Sequence, residues 1–276
     1  MTSPVRSTPA ALPCVLVYHG RERVRQLARA AFPRRRARLV LVRTLAEAEQ
    51  ALREVFVDAM LVDVAGAADD SWKVAGLARE FPSVSFFGVA PFRSSDGPAI
   101  AQCATLGFSD VLVDHVDDAA ARELVLGAAF SSRFEAALHD PPPALALTSP
   151  LQQAAWRAVV AHAGRPVRTA ELATRLGVTR EHLSRTFASA GAPNLKRVID
   201  LVRLIAAGEL AKNPGHDIRD VARVLEFASS SHLASTAQRI VGTKPASLAR
   251  LRTVDLLERF VHGHGRSRGE RVADAS

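Results

Sequence analysis

Cysteine, long apolar runs and catalytic signatures are all scarce in this chain of 276 residues. Only Cys14 and Cys103 are present, far apart, which argues against a disulfide framework or a zinc site and favours a reducing, cytoplasmic setting. No apolar run is long enough to span a membrane, and the N-terminus lacks a signal-peptide core. No nucleophile elbow, P-loop or dinucleotide-binding glycine motif occurs, so we expect no enzyme, cofactor or metal.

The excess of positive charge lies in the second half of the chain. Residues 1–140 hold 16 Lys and Arg against 17 Asp and Glu, whereas residues 141–276 hold 20 against 11. Such an asymmetry is typical of a polyanion-binding domain joined to a neutral one. Aromatic residues are few in the basic half, which disfavours stacking on unpaired bases and favours duplex DNA.

Short apolar runs alternate with helical patterns in the first half. We predict strands at 14–18, 37–42, 58–62, 83–90 and 110–113, each followed by a helix, the last running from about Asp117 to His139. This alternation predicts an α/β domain with a five-stranded parallel sheet covered on both faces. With Asp63 at the end of the third strand, the pattern resembles the receiver domain of two-component response regulators, a flavodoxin-like fold.

The resemblance implies that Asp63 occupies the position of the receiver's phosphoryl-accepting aspartate. The family's Mg²⁺-binding acidic pair is replaced here by Tyr18 and His19, and its lysine by Asp114, which His115 follows. Phosphoryl transfer needs cations to offset the charge on the transferred group. We therefore expect a degenerate pocket of His19, Asp63, Asp114 and His115 that serves dimerisation or signal binding. Phosphorylation of Asp63 and a metal bound by the two histidines are the alternatives.

Composition sets the expected domain boundaries. Residues 1–12 are predicted to be flexible, 13–139 to form the α/β domain, and 140–150, rich in proline, to form a linker. Residues 151–262 are predicted to form an all-helical domain, and the basic segment 263–276 to be disordered. The run Arg34–Arg36 is interpreted as solvated charge at a helix end.

Two helix-turn-helix patterns lie between Thr169 and Leu251. In the first, ELATRL precedes a turn at Gly177, and TREHLSRTFASA follows as a helix with two apolar residues inward. In the second, DIRDVARVLEF precedes SSSHLASTAQRIVG. The linker helix NLKRVIDLVRLIAAGELAKN joins them and would span roughly 27 Å, comparable to one DNA turn of about 34 Å.

These segments together resemble the DNA-binding domain of AraC/XylS-type transcription regulators. The resemblance is carried by LATRLGVTREHLSRTF, RLIAAGEL, IRDVARVLEF and VGTKPASLARL, and covers about a hundred residues. It implies an all-helical domain that reads duplex DNA with the second helix of each motif. Two departures weaken the second motif: Glu226 replaces a turn glycine, at about 1 kcal/mol for the left-handed conformation, and Ala237 replaces a phenylalanine.

The exposed positions near the start of each recognition helix are the expected DNA contacts. In the first helix they are Thr179, Arg180, Glu181, His182, Ser184 and Arg185, and in the second Ser230, Ser231, His232 and Ser235. Arg185 is expected to bind guanine, and Glu181 either to accept from cytosine or to act as a helix N-terminal charge. Expected phosphate contacts are Lys196, Arg197, Arg219, Arg239 and Lys244.

The sequence thus predicts a cytoplasmic, sequence-specific, duplex-DNA-binding transcription regulator. Homodimerisation through the N-terminal domain is expected, with RNA polymerase as a further candidate partner. The alternative is a phosphorylation- or ligand-responsive signalling module with secondary, weakly specific DNA binding. Base preference that survives at raised salt separates the two.

Overall fold

The computed structural model describes residues 12–65, 69–93, 96–187, 189 and 191–273. Apart from Leu12, the segment predicted to be a flexible N-terminus lies outside these residues. The described chain forms two compact units. The sheet unit comprises Leu12–Arg133 and Lys212–Val224, and the helical unit comprises Phe134–Ala211 and the chain from Leu225 onward. Over the described ranges, the chain contains no helix that is both long and apolar enough to cross a membrane.

A five-stranded parallel sheet forms the centre of the sheet unit, as predicted. Its strands are β1 (Cys14–Tyr18), β2 (Arg38–Val42), β3 (Ala59–Asp63), β4 (Ser85–Ala90) and β5 (Asp110–Val113). They are arranged in the order β2-β1-β3-β4-β5, with every pair parallel. This is the strand order of flavodoxin-like folds, in which ligands bind at the carboxyl ends of the strands.

Helices cover both faces of the sheet because successive strand residues point to opposite sides and nearly all of them are apolar. The helices are α1 (Glu22–Ala31), α2 (Leu45–Glu54), α3 (Asp69–Glu80), α4 (Gly97–Thr105) and α5 (Ala121–Ala128). One core joins Leu16 and Met60 to α2, α3 and α4. The other joins Val17 and Leu61 to α1 and α5. Burying one such side chain contributes about 1.5–3 kcal/mol.

The prediction of one long helix from about Asp117 to His139 is wrong. The chain forms α5 and then α6 (Phe130–Ala137), with Ala129 between them in an extended conformation (φ −56°, ψ 148°). Asp58 causes the break: its backbone carbonyl accepts from the Phe130 amide at 3.0 Å, and its carboxylate accepts from the Ser131 amide at 3.0 Å. Asp58 is fully buried and also accepts from the Cys14 amide, so α6 starts where this carboxylate is satisfied.

The helical unit contains helices throughout, which confirms the predicted fold class of an α/β region followed by an all-α region. Its helices after α6 are α7 (Pro150–Val160), α8 (Thr169–Arg175), α9 (Arg180–Phe187), α10 (Leu195–Leu210), α12 (Ser230–Val241) and α13 (Thr253–Ala273). Trp156 on α7 is fully buried, and its indole donates to the Leu138 carbonyl at 2.7 Å. The Gln152 amide donates to the Thr186 and Phe187 carbonyls, which fixes α7 to the end of α9.

Residues 212–224, which include α11 (Ile218–Val224), pack in the sheet unit. The Asn213 side chain is buried, accepts from the Ser83 amide at 2.9 Å and donates to its hydroxyl at 2.7 Å. Gly215 lies so close to Phe81 that a Cβ atom would be 2.5 Å from the ring. The His216 ring meets Phe81 edge-on at 5.0 Å. These residues fall within the predicted domain 151–262, yet their packing partners belong to the first half of the chain.

The segments predicted as linker and tail also have structure. Within 140–150, Leu145 and Leu147 are buried in the helical unit, next to a short 3-10 turn at Pro143–Leu145. The helix α13 continues to Ala273, into the segment 263–276 for which the composition predicts disorder. The three arginines of this segment favour a helix, whereas its three glycines oppose one, so the composition alone does not decide its structure. Residues 274–276 lie outside the described range.

Candidate nucleic-acid interface

The first recognition helix, α9, has a fixed orientation within the helical unit. Gly177 adopts the predicted left-handed conformation (φ 68°) at the turn before it. The Thr179 hydroxyl accepts from the His182 amide at 3.1 Å and so caps the helix. Leu183 and Phe187 are fully buried one turn apart, which holds the opposite face of α9 in solvent.

That solvent face contains all the contact residues predicted for the first motif. Thr179, Arg180, Glu181, His182, Ser184 and Arg185 are exposed. The side chains of Arg180, Glu181, Ser184 and Arg185 make no hydrogen bond or ion pair among the described residues. Two guanidinium groups, a carboxylate and a hydroxyl are therefore free to meet a partner, and these are the groups that read base edges in a DNA major groove.

The second recognition helix, α12, offers fewer free groups. Ser231, His232 and Ser235 are exposed, whereas Ser230 is half-buried. The Ser235 hydroxyl donates to the His232 carbonyl of its own helix at 3.0 Å. The His232 ring contacts Phe227 edge-on at 5.6 Å and accepts from the Ala228 amide through Nδ1. Two of the four side chains predicted to contact DNA, His232 and Ser235, thus already make hydrogen bonds in or next to their own helix.

A buried arginine supports the unusual turn before α12. Glu226 has the expected left-handed backbone (φ 52°). Arg203 of α10 donates to the Leu225 carbonyl at 2.8 Å and to the Glu226 carbonyl at 3.3 Å, and its guanidinium stacks over the Phe227 ring at 3.8 Å. Burial lowers the pKa of Arg203. These contacts stabilise the turn without glycine, and no local sequence signal indicates them because Arg203 lies more than twenty positions away.

Comparison with known families identifies this region. Residues 172–250 match a family model described as a helix-turn-helix domain. Residues 172–250 are a helix-turn-helix domain. The matched segment contains both recognition helices, and the match supports a DNA-binding transcription regulator. No curated protein matches the chain.

The helix-turn-helix domain holds the five predicted phosphate contacts in different environments. Lys196 and Lys244 are exposed and make no side-chain bond among the described residues. Arg239 forms an ion pair with Asp200 at 2.8 Å. Arg197 lies over the Phe260 ring at 5.2 Å, and burial, followed by the charge of Arg239, lowers its pKa. Arg219 is exposed but belongs to the sheet unit.

One cleft of the helical unit is lined by exposed cations that the sequence did not place together. It has a volume of about 370 Å³, and its charged lining consists of the exposed Arg168, Arg180 and Lys196 and the buried Asp200 and Arg203. Asp200 is paired with Arg239. Arg168 directly precedes α8 and was not predicted as a contact. Three cations around a cleft next to the start of α9 suit the phosphate contacts that position a recognition helix on duplex DNA.

The receiver-like pocket in the sheet unit is occupied by an arginine of the same chain. Asp63 and Asp114 are both buried, at 2% and 6% exposure. Arg21 donates to the Asp63 carboxylate from Nε at 2.8 Å and to the Asp114 carboxylate from Nη1 at 2.7 Å. The Arg21 backbone amide donates to Asp63 at 2.8 Å. Burial acts to lower the pKa of Arg21, but the bonds to Asp63 and Asp114 outweigh it and raise that pKa.

The two histidines predicted for this pocket differ in their surroundings. His19 is buried, and burial, followed by the charges of Arg43 and Arg25, lowers its pKa, so the ring is neutral near pH 7. His115 is exposed in a left-handed turn (φ 67°). Within the described ranges, no three His, Cys, Asp or Glu side chains are grouped as metal ligands. Both cysteines are buried, and neither forms a disulfide among the described residues.

Proposed function

We propose that this protein is a sequence-specific, duplex-DNA-binding transcription regulator of the AraC/XylS type, with α9 as its dominant reading helix. The observation that supports this most directly is the contrast between the two recognition helices. On α9, Arg180, Glu181, Ser184 and Arg185 are exposed and uncommitted. On α12, the available groups are short and uncharged or already bonded within the helix. Base discrimination therefore depends mainly on α9, and α12 contributes weaker or phosphate contacts.

Selection of bound duplexes from a random pool at about 0.15 M salt tests this proposal. One strongly enriched block with a weaker block about one turn away is the expected result. Arg185→Ala should lose about 1–3 kcal/mol on the selected site and relax preference at one base. Arg259→Ala, which removes an exposed cation on α13, is the matched control and should leave base preference unchanged.

Retention of duplexes without any enriched sequence would reject specific regulation. It would favour the alternative of a signalling module that binds DNA only as a polyanion. Equal weakening by Arg185→Ala on all sequences would reassign Arg185 as a phosphate contact.

We further propose that the receiver-like domain acts through dimerisation or signal binding, not phosphorylation. The supporting observation is that Arg21 occupies the position between Asp63 and Asp114 with its guanidinium group. A receiver needs its aspartate to approach a phosphoryl donor and a bound Mg²⁺, whereas Asp63 is buried beneath an arginine of its own chain. Incubation with acetyl phosphate and Mg²⁺ should give no acid-labile adduct on Asp63. A stoichiometric adduct there would overturn this part of the proposal.

A further inference from the structure

The near-neutral charge of the first half conceals a local segregation of charge. Residues 23–46 contain no aspartate or glutamate. They contain eight arginines, which are Arg23, Arg25, Arg29, Arg34, Arg35, Arg36, Arg38 and Arg43. Positive charge concentrated in this way produces a field that the net charge of the domain does not show.

Six of these arginines make no side-chain hydrogen bond or ion pair among the described residues, and one of the six, Arg43, follows the carboxyl end of β2. Arg23 pairs with Asp118, and Arg25 pairs with Glu22. The other five of the six are also exposed, and they are Arg29, Arg34, Arg35, Arg36 and Arg38. They lie at the end of α1, in the following turn and at the start of β2. The negative end of the α1 dipole accounts for one cation, not for five.

The local backbone fixes this arrangement. The amides of Arg36 and Ala37 both donate to the Pro33 carbonyl, at 2.7 and 3.2 Å, and form a tight turn that presents the arginine run. The Arg38 amide donates to the Pro13 carbonyl at 2.9 Å and starts β2. β2 is an edge strand, and among the described strands it pairs only with β1. The cations are therefore attached to an ordered part of the sheet unit.

A cleft of about 650 Å³ opens among these arginines. Its apolar wall includes Phe32, Ala37, Leu39 and Leu41. Its charged rim is formed by Arg29, Arg34 and Arg38. A volume of this size, with an apolar wall and a few convergent polar groups, is within the range of small-molecule sites.

We propose that this cleft binds an amphipathic anion, an apolar chain or ring with a carboxylate or phosphate group. The guanidinium groups would hold the anionic group through charge-assisted hydrogen bonds, and the half-buried Leu39 and Leu41 would cover the apolar part. A purely charged partner such as a DNA backbone would satisfy the arginines but leave these leucines in water. The chemistry of the cleft therefore selects a ligand with both parts.

This site is distinct from the receiver-like pocket. Arg38 lies at the amino end of β2, and the Cα register pairs it with Cys14 at the amino end of β1. Asp63 lies at the carboxyl end of β3. A five-residue strand spans about 16 Å, so the cleft lies at the amino ends of the strands and the receiver-like pocket lies about 16 Å away at their carboxyl ends.

Calorimetric titration of the full chain with decanoate, at about 0.15 M salt, tests the proposal. Decanoate should bind, whereas decanol and inorganic phosphate should bind at least about tenfold more weakly, because each supplies only one of the two parts. The variant Arg29→Ala/Arg38→Ala should weaken decanoate binding about tenfold or more. Arg35→Ala/Arg36→Ala removes two cations outside the lining and should change the affinity less than about twofold. Thermal unfolding of each variant checks that it is folded.

Several outcomes would overturn the proposal. Equal binding of decanol would reveal an apolar groove without anion selectivity, and equal binding of phosphate a simple polyanion site. Absence of decanoate binding combined with weaker duplex binding by Arg29→Ala/Arg38→Ala would assign the arginines to the DNA backbone. Several-fold tighter decanoate binding after deletion of residues 2–11 would identify that segment as the natural occupant.

Discussion

Replacing Arg21 by alanine should destabilise the sheet unit strongly. The Asp63 and Asp114 side chains are each 2% exposed, and Arg21 supplies the closest cation to both. Arg23 lies farther away, with its Nε 4.0 Å from Asp114. Removing one partner of a buried ion pair costs about 3–5 kcal/mol. Because the Arg21 side chain is 32% exposed, water would compensate part of this, and we expect a loss of about 3 kcal/mol.

Urea unfolding of the full chain measures this loss, and hydrogen exchange in β1, β3 and β5 locates it. Arg25→Ala is the matched control: its partner Glu22 is half-exposed, so the cost should be under about 0.5 kcal/mol. Adding Asp114→Asn to Arg21→Ala removes one of two facing carboxylates and should recover about 1 kcal/mol or more. A loss below about 1 kcal/mol for Arg21→Ala, or a double variant less stable than the single one, would refute the reasoning.

Two further changes test the packing and the pH dependence. Gly215→Val should destabilise the sheet unit by about 2 kcal/mol or more in urea, since its Cβ would clash with Phe81, whereas Gly76→Ala, in open space on α3, should stabilise it by about 0.5–1 kcal/mol. His162 is buried, which lowers its pKa below 6.5, so the unfolded chain binds the proton more readily. Its contribution to stability is present above about pH 6.5 and is lost as pH falls through the folded pKa. His162→Gln should flatten the unfolding free energy between pH 7 and pH 5, and an unchanged slope would exclude this residue.

The sequence predicted correctly the strands and helix ends that are stabilised by residues close to one another in the chain. The five strands are apolar runs bounded by turn residues, and the caps at Thr44 and Thr179 lie three residues from the amides that they satisfy. The break between α5 and α6 was missed because its cause, Asp58, is 73 positions from Ser131. A buried carboxylate that accepts hydrogen bonds from amides far away in the sequence leaves no sign in the hydrophobic pattern of the helix that it interrupts.

The candidate sites divide in the same way. Exposure of the contact positions on α9 follows from the spacing of Leu183 and Phe187, so the sequence predicted the face correctly. The pairing of Arg21 with Asp114 and the stacking of Arg203 on Phe227 depend on the fold bringing distant residues together. In each case one arginine side chain donates to backbone or carboxylate oxygens of residues that lie far from it in the sequence.

The position of residues 212–224 limits how this protein can be divided for experiments. A fragment that begins at residue 151 would contain both recognition helices but would lack Ser83 and Phe81, the partners of Asn213 and Gly215. The complementary fragment that ends at residue 139 would expose the surface that α11 covers. Each fragment should be less soluble than the intact chain. Domain exchange with a related regulator would have to transfer residues 212–224 together with their partners on α2 and in the segment just after α3.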